Sequence, residues 1–337
     1  MTLLLRPEEH AGLVSFAEAI DVIERAYQAL AKDPSLDLLR QIANEKIRLS
    51  IHMASNPLLN AAGLMAHSRS RSPNHRHAAS LVFNAETGAL DAILLDQILC
   101  GDPVQGVTDL RTAATSAVAT KYLARADAKT VGVIGSGRQA QSHLAALAVV
   151  RSMESAKVYS RSPANRESFA QKMSAALKIE VEPVASSEEA ARGVDVILLM
   201  TDTSEPVLLG EWLAPGQHMT SVMGGNTPRD SQGRPLKPPR RDLDDEAIRR
   251  SDIIVINSRA QAKQDLQGDI IIPIERGVLG WERVRELSEL VGRKIHGRSD
   301  ERQITLYKNN GAQGVADVAL AALAAKKARK QGLGTEV

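Results

Sequence analysis

The stretch AKTVGVIGSGRQAQSHLAALAVV, residues 128–150, decides the fold class. Its apolar run VGVI predicts a short strand, and the alanine-rich run that follows predicts a helix. Gly135 suits the tight turn that ends the strand, Gly137 lets the backbone approach a pyrophosphate, and Ala140 stands where helix and strand pack closely. The first N–H groups of a helix beginning near Arg138 would face those phosphates. The stretch is therefore typical of a dinucleotide-binding turn.

A regular alternation of strands and helices surrounds this turn. Helical segments lie between most of the apolar strands. The predicted strands are near 131–134, 156–159, 179–184, 195–200, 218–223 and 253–257. Six strands joined by crossovers predict an α/β fold with a doubly wound parallel Rossmann sheet.

The two ends of the chain predict a second, α+β region. Apolar residues recur at helical spacing from Phe16 to Leu30, which predicts an amphipathic helix. Strand-like pieces follow and predict an antiparallel or mixed sheet. They are KIRLSIHMA, LMAHSRSRS, ASLVFNAETG and LDAILLD, between residues 46 and 96. The tail GAQGVADVALAALAAKKARKQ, residues 311–331, predicts one long helix that packs back on this first region.

Composition narrows the class of protein. The 337 residues are 43% apolar and 24% charged with a net charge of +2, which favours neither nucleic acid nor an anionic membrane as partner. The lone Cys100 cannot form an internal disulfide, and the N-terminal apolar run is too short for a signal peptide. No apolar run approaches the roughly 20 residues that span a bilayer. These features predict a cytoplasmic protein.

Several segments together resemble the ornithine cyclodeaminase/μ-crystallin family. They are VTDLRTAATSAVATKYLA (107–124), VGVIGSGRQAQSHL (131–144), LVFNAETGAL (81–90), VDVILLMTDTSEPVL (194–208) and ITLYKNNGAQGVADVALA (304–321). The resemblance implies a Rossmann domain, 113–309, inserted into a substrate and dimerisation domain made of 1–112 and 310–337, and a homodimer. Members of the family include ornithine cyclodeaminases, amino-acid dehydrogenases, cyclic-imine reductases and a crystallin that binds NADPH and thyroid hormone.

Arg111 is the candidate for binding a substrate carboxylate. It lies in the first turn of the helix that precedes the Rossmann strands, so we expect it near the domain cleft, and a guanidinium matches a carboxylate bidentately. The alternative is a structural arginine paired with a core acid. The resemblance implies that the arginine of RTAA binds the substrate carboxylate and that Arg48, in KIRLSI, is a second such arginine.

Two departures from the ornithine cyclodeaminases bear on the reaction. Those enzymes have a lysine six residues before a PxN-like element and an aspartate after a Gly-Gly pair, whereas this chain has His67 and Asn226 there. Asparagine cannot take a proton or balance an ammonium as a carboxylate does, so loss of ammonia with ring closure is poorly supported. We expect Arg69 and Arg71 on the same strand face as His67.

His67 is the candidate proton donor, since an imine that accepts a hydride also needs a proton. The alternative is a strand histidine with a structural hydrogen bond. His52, His75 and His77 are close in sequence, but no pair with a carboxylate at helical spacing accompanies them, so we predict no metal site. The segment LDQILCGDPVQG, residues 95–106, is an apparent insertion with no functional interpretation.

The segment KVYSRS, residues 157–162, indicates which cofactor is used. An NAD site places an acidic residue about 20 residues past the glycines, but here Ser160, Arg161 and Ser162 end the second strand. An arginine there pairs with a 2′-phosphate, so we predict NADP(H). Alternatively Arg161 points to solvent or stacks on the adenine. The predicted cofactor-binding residues are Thr112, Gly135, Ser136, Gly137, Arg138, Gln139, Ser160, Arg161, Ser162, Thr201, Met223 and Asn309.

Together these features predict an NADP(H)-dependent oxidoreductase that reduces the C=N bond of a small 2-imino acid, cyclic or linear, or catalyses the reverse oxidation of an amino acid. His67, Arg111 and Asn226 are the predicted catalytic residues, and Arg48, Arg69 and Arg111 the predicted substrate-binding residues. Two alternatives stay open: a lyase of the ornithine cyclodeaminase type, which returns the hydride, and a non-catalytic protein that binds NADPH and a small ligand.

Overall fold

The computed structural model describes residues 1–10, 12–43, 47–70, 76–95, 107–222, 239–311 and 314–337. The chain divides into two compact units. Unit 1 consists of Met1–Thr115 and Ala312–Val337, and unit 2 of Ser116–Gly311. The assignment of one unit to the substrate and the other to a cofactor stays a prediction.

The regular elements are as follows, in chain order. The strands are β1 (Leu3–Leu5), β2 (Asp37–Ala43), β3 (Ile47–Asn56), β4 (Ala61–Ser70), β5 (Arg76–Asn84), β6 (Leu90–Leu95), β7 (Thr130–Ile134), β8 (Ser155–Tyr159), β9 (Glu180–Pro183), β10 (Val196–Leu199), β11 (His218–Ser221), β12 (Ile253–Ile256), β13 (Val284–Glu286), β14 (Thr305–Lys308) and β15 (Thr335–Glu336). The α-helices are α1 (Pro7–His10), α2 (Phe16–Lys32), α3 (Val107–Leu123), α4 (Arg138–Val150), α5 (Pro163–Leu177), α6 (Ser187–Ala191), α7 (Asp245–Arg250), α8 (Arg259–Asp265), α9 (Gly268–Glu275), α10 (Leu287–Val291) and α11 (Gly314–Gln331). Short 3₁₀ turns lie at Pro34–Leu36, Pro57–Leu59, Gly210–Trp212 and Trp281–Arg283.

Unit 1 is built on a seven-stranded mixed sheet. The strand order is β15-β1-β6-β5-β4-β3-β2. The β1–β6 pair is parallel, while the other neighbouring pairs are antiparallel. The four predicted strand pieces correspond to β3 to β6, which confirms the expected mixed sheet. The sequence did not predict β1, β2 or β15, because strands of two or three residues are too short to show alternation and β2 has no clean alternation.

Two long helices pack together in unit 1, and one of them, α11, lies against the sheet. Helix α2 begins at a capping box in which the Ser15 hydroxyl accepts from the Glu18 N–H and the Glu18 carboxylate accepts from the Ser15 N–H. Helix α11 packs against α2, β3 and β4, with Ala and Leu side chains buried along it. Lys327 on α11 donates to Glu18 at 2.6 Å. Both predicted helices, and the packing of the tail on the first region, are confirmed.

Unit 2 contains an eight-stranded sheet in which every neighbouring pair is parallel. The order is β13-β12-β14-β11-β10-β7-β8-β9. All six predicted strands are present. From β7 the chain adds β8 and β9 on one side of the sheet and then β10 and β11 on the other, which is the doubly wound arrangement that the sequence predicts. Two further strands, β13 and β14, were not predicted; β14 lies between β11 and β12 and ends in a lysine.

Across the described ranges, no helix is both long and apolar enough to cross a membrane.

Candidate active site

The turn after β7 requires its first glycine. Gly135 has a φ of +110°, a region that side-chain-bearing residues rarely adopt. A Cβ at this position would collide with the carbonyl oxygen of Met200, the residue after β10. The Gly135 N–H donates to the carbonyl of Tyr159 at 2.8 Å. Gly135 thus fixes the turn against both neighbouring strands.

Gly137 has a different role from Gly135: it does not form the tight turn but leaves open space at the N-terminus of α4. It is the N-cap of α4 with a φ of −79°, and its cap has no side-chain hydrogen bond. A Cβ on Gly137 would meet no described atom within 4 Å. The first N–H groups of α4 thus face an open cradle, which fits a pyrophosphate. Ala140, fully buried, packs this helix onto the sheet as predicted.

The end of β8 carries the three residues predicted to select the cofactor. Arg161 is exposed, and no carboxylate stands among residues 160–162. The Ser160 hydroxyl donates to the Ser162 carbonyl at 3.1 Å, and the Ser162 hydroxyl accepts from the Asn165 N–H as the N-cap of α5. The Ser160 hydroxyl is therefore used as a donor within the strand end, and the contact of Ser160 and Ser162 with a cofactor stays a prediction. Arg166, which the sequence analysis missed, donates to the Ser160 carbonyl at 3.0 Å.

A fully buried charged cluster lies at the carboxyl ends of β11 and β14. Lys308 Nζ donates to Asp269 Oδ2 at 2.6 Å and to Ser221 Oγ at 2.8 Å. Ser221 Oγ lies 2.9 Å from Asp242 Oδ2, and Asp242 Oδ1 accepts from the Thr201 hydroxyl at 2.6 Å. A lysine in an apolar strand indicates that a buried acid pairs with it. The sequence does not show which acids these are, because Asp242 and Asp269 lie far from Lys308 along the chain.

The cluster holds two carboxylates and one ammonium among the described residues. Burial, together with the nearby Asp269 carboxylate, raises the pKa of Asp242 to about 7. Asp269 also accepts from the backbone N–H groups of Asp242 and Leu243 at 2.8 and 3.1 Å. With a pKa near 7, the Asp242 carboxyl is partly protonated near neutral pH.

Two predicted cofactor residues adjoin this cluster. Thr201, half-buried, follows β10 and bonds Asp242 as described. Asn309 is fully buried; its amide donates to Ser116 Oγ at 3.0 Å and its carbonyl oxygen accepts from Asn257 at 3.0 Å. Their contact with a cofactor stays a prediction. Met223 lies outside the described residues.

In unit 1 one carboxylate contacts the candidate residue Arg111 and also a histidine, His52. Asp317, on α11, places Oδ1 3.0 Å from Arg111 Nε and Oδ2 2.8 Å from His52 Nδ1. All three residues are at most 5% exposed. Burial acts to raise the pKa of Asp317, but the Arg111 charge and the His52 hydrogen bond outweigh it and hold the pKa below its usual range. Since a carboxylate only accepts, His52 Nδ1 carries the proton.

His67 belongs to the same group. Its ring centroid lies 5.2 Å from that of His52, and the two rings are tilted by 50°. Asp37, half-buried, accepts from the Val315 N–H at 2.8 Å. Burial, and then the Asp317 carboxylate, raise the pKa of Asp37 to about 6 although the Val315 bond opposes them. The sequence analysis missed His52 as a partner, Asp37 and Asp317; Asp317 does stand in the quoted segment 304–321.

The other predicted substrate residues have backbone positions in the same sheet. Arg48 of β3 is directly opposite Arg69 of β4. Thr112 is buried beside Arg111 on α3. Arg71 and Asn226 lie outside the described residues, as do 96–106 of the apparent insertion. Among the residues described, no group of three or more His, Cys, Asp or Glu could hold a metal ion, and the predicted lack of a metal site stays a prediction.

Each unit thus assembles its own part of the chemistry. Unit 1 brings together a buried guanidinium, two histidines and a bridging carboxylate, which can bind a carboxylate and move a proton. Unit 2 offers an open helix N-terminus after a glycine turn and an arginine at the end of β8, which can hold a phosphorylated dinucleotide.

The chain is similar along most of its length to proteins of one family. A Δ1-pyrroline-2-carboxylate reductase of Bacillus cereus is 27% identical over 344 residues, which cover 99% of each chain. The ketimine reductase mu-crystallin of Rattus norvegicus is 30% identical over 225 residues, 67% of this chain and 62% of that protein. The structure of Thermococcus litoralis Δ1-pyrroline-2-carboxylate reductase in complex with NADH and L-proline matches with a TM-score of 0.84, at 32% identity over all of both chains. The profile of the ornithine cyclodeaminase/mu-crystallin family matches residues 66–332, and the chain belongs to this family.

Proposed function

We propose that this protein reduces the C=N bond of a 2-imino acid with NADPH, giving the amino acid, and catalyses the reverse oxidation when the amino acid is in excess. The observation that carries the proposal is the group in unit 1, where Asp317 fixes Arg111 and His52 and the His52 ring lies against His67. Named imine reductases among the relatives support the same reaction class.

Arg111 binds the substrate carboxylate in this proposal. Its Nε lies 3.0 Å from Asp317 Oδ1 in a buried ion pair, which holds the guanidinium beside that carboxylate. A carboxylate held bidentately gives the imine carbon a defined position, and such positioning supplies much of the rate enhancement in a bimolecular step. Arg48 is the second proposed carboxylate-binding residue.

His67 supplies the proton to the imine nitrogen. Asp317 accepts from His52 Nδ1, which leaves His52 Nε2 as the acceptor nitrogen of that ring. His52 in turn packs against His67 and limits the orientations that the His67 ring can adopt. Asn226, in the position that resembles the cyclodeaminase aspartate, contributes a hydrogen bond and no proton transfer.

The cofactor supplies the hydride when it is bound. Gly135, Ser136, Gly137, Arg138 and Gln139 would hold its pyrophosphate at the N-terminus of α4. Ser160, Arg161 and Ser162 would hold the ribose of the adenosine half. The open space at Gly137 and the uncapped N–H groups of α4 support this fit.

NADPH is the proposed cofactor, although the Thermococcus litoralis enzyme was solved with NADH. Arg161 is exposed where a 2′-phosphate would lie, and Arg166 adds a second positive charge at the same strand end. We expect kcat/KM to favour NADPH over NADH by a factor of about 10–100, because a charge-assisted hydrogen bond contributes about 1.5–3 kcal/mol. The Arg161→Ala variant should lose most of that preference, and a wild-type preference for NADH would contradict it.

Steady-state assays with cyclic and linear 2-imino acids test the reaction itself. We expect one NADPH consumed for each amino acid formed. Ammonia released from ornithine with no net change in the cofactor would instead indicate the lyase reaction, and tight ligand binding without turnover would indicate a binding protein. A homodimer and a cytoplasmic location stay predictions; the molecular mass in solution checks the first.

A further inference from the structure

Buried polar side chains of unit 2 form one continuous hydrogen-bond chain. It runs from the carboxyl ends of β12 and β14 through helix α3 to the first turn of α4. Its members, in order, are Tyr307, Asn257, Asn309, Ser116, His143 and the backbone carbonyl of Gln139. Each of the five side chains is at most 3% exposed. We call this the Ser116 chain, after its central hydroxyl.

The polarity of the Ser116 chain is fixed at its His143 end. The Gln139 carbonyl only accepts, so His143 Nδ1 carries the proton of their 2.8 Å hydrogen bond. Burial lowers the pKa of His143 to about 4, although the bond to Gln139 opposes it, so the imidazole is neutral at neutral pH. Its Nε2 is then an acceptor. The Ser116 hydroxyl therefore donates to Nε2 at 3.0 Å and accepts from Asn309 Nδ2 at 3.0 Å.

The same polarity follows independently from the other end. Asn257 Nδ2 donates to the Gly311 carbonyl at 3.1 Å, and the Gly311 N–H donates to Asn309 Oδ1 at 3.3 Å. Backbone groups cannot exchange donor and acceptor, so they fix which atom of each amide is the nitrogen. Asn309 is held with its oxygen toward Asn257 and its nitrogen toward Ser116, as the His143 end requires. Both ends of the chain therefore favour a single orientation of the Asn309 amide.

Asn309 follows β14 directly, at the carboxyl end of the strand. In a doubly wound sheet, ligands bind outside the carboxyl ends of the strands, and each half of the sheet takes one half of a dinucleotide. Strands β7, β8 and β9 form the half that ends in Arg161, whereas β10, β11 and β14 lie on the other side of the point where the strand order reverses. Asn309 thus belongs to the half of the sheet that would take the nicotinamide.

We propose that Ser116 and His143 are positioning residues for the nicotinamide half of the cofactor and act through the amide of Asn309. An amide with donor and acceptor exchanged would present the wrong group to a ligand, and the Ser116 chain prevents that exchange. His143 also stands on α4, whose first turn would hold the pyrophosphate, so the chain ties Asn309 to that turn. This inference rests on the proposed function for the identity of the cofactor.

Equilibrium binding tests the inference without turnover. NADPH and 2′,5′-ADP, which is the adenosine half alone, are titrated into wild type, Ser116→Ala and the control Ser251→Ala. Ser251 is a fully buried serine at the amino end of β12, and its hydroxyl donates to the Ala247 carbonyl at 2.8 Å. We expect Ser116→Ala to weaken NADPH binding by about 5- to 20-fold and 2′,5′-ADP binding by less than about twofold, as the loss of a buried hydrogen bond at one half of the site predicts.

The outcomes separate this inference from the proposed reaction. Ser251→Ala should bind both ligands as wild type does. Selective loss of NADPH binding in Ser116→Ala, with no reduction of any imino acid by wild type, would keep the positioning role and refute the proposed reaction. Equal weakening of both ligands in Ser116→Ala, or of neither, would overturn the inference even if imino acids are reduced.

Two substitutions of His143 distinguish positioning from packing. His143→Gln keeps an amide oxygen within reach of Ser116, whereas His143→Asn is one bond shorter and loses that acceptor; both remove the imidazole from the core. We expect His143→Gln to bind NADPH within about threefold of wild type and His143→Asn to lose affinity as Ser116→Ala does. The control is His218→Asn, at a fully buried histidine at the amino end of β11 that lies 2.9 Å from Thr305 Oγ1, and it should keep its affinity. Equal losses in the two His143 variants would contradict the positioning role.

Discussion

At the scale of single residues, alanine at Gly135 should lower stability, whereas alanine at Gly137, two positions further on, should lower cofactor affinity. Gly135→Ala strains a positive φ and pushes a methyl group into the Met200 carbonyl, so we expect unfolding to become easier by roughly 1–3 kcal/mol. Gly137→Ala meets open space, so its Tm should stay within about 2 °C of wild type. Its methyl group would occupy the phosphate cradle, however, and weaken cofactor binding at least about tenfold. Thermal unfolding and cofactor titration of both variants check this; unchanged cofactor affinity in Gly137→Ala would contradict the cradle.

Asp317 is a positioning residue, and its removal should affect substrate binding more than cofactor binding. Asp317→Asn leaves Arg111 and His52 without their shared carboxylate. We expect KM for the imino acid to rise by about 10-fold or more, since breaking a buried charge pair costs several kcal/mol and part of that loss appears in the orientation of Arg111. The pH profile of kcat should also shift, because Asp317 bonds His52 and His52 packs against His67; a residue with only a structural role would leave that profile unchanged.

Arg111→Ala should abolish turnover while the affinity for NADPH stays near wild type. Near-normal kcat/KM in either variant would exclude the proposed roles.

Asp242 predicts how stability depends on pH. Its folded pKa is about 7, against an ordinary value of 3.8. Between these values the folded state keeps a proton that the unfolded state has lost, so this group makes stability fall as pH rises from about 4 to 7. Between pH 4.5 and pH 8 the free energy of unfolding of wild type should decrease by roughly 1–4 kcal/mol more than that of Asp242→Asn, because the asparagine has no charge to bury. Urea unfolding at the two pH values measures this, with exposed Glu301→Gln as control. Parallel pH dependence in wild type and Asp242→Asn would show that Asp242 is ionised throughout.

At the scale of elements, the capping box of α2 offers a direct test of why that helix begins at Phe16. Ser15→Ala removes the acceptor for the Glu18 N–H and leaves the Glu18 carboxylate in place. We expect a loss of about 1 kcal/mol in the free energy of unfolding, the usual contribution of an N-cap serine. Ser187→Ala is the control, since Ser187 lies inside α6 and the cap of that helix is Ser186. Chemical denaturation that finds the two variants equal would contradict the cap assignment.

Elements also separate what the sequence could predict from what it could not. Six of the eight strands of unit 2, and the helices α2 and α11, have sequence patterns clear enough to be recognised. Strands β13 and β15 have two or three residues and no recognisable period. The contact of His52 with His67 depends on the register in which β3 pairs with β4, and that register is a tertiary property. The same holds for the buried partners of Lys308, which reach it from separate parts of the chain.

At the scale of the whole molecule, the candidate site was predictable where one local segment carries it. The glycine turn and the end of β8 are of this kind, because strand, turn and helix follow one another in sequence. Asp317 and His52 are 265 residues apart, and only folding joins them in unit 1. Arg111 could be singled out, but the carboxylate that orients it could not be found without the packing of α11.

Hydride transfer to carbon 2 is the central claim, and isotopic labelling measures it most directly. The enzyme is supplied with a panel of cyclic and linear 2-imino acids and with NADPH that carries deuterium at both positions of nicotinamide carbon 4, and the amino acid formed is analysed by mass spectrometry. The account predicts an amino acid with one deuterium at carbon 2 and one NADP⁺ for each amino acid formed. Neither labelled amino acid nor oxidised cofactor from any cyclic or linear 2-imino acid would contradict it.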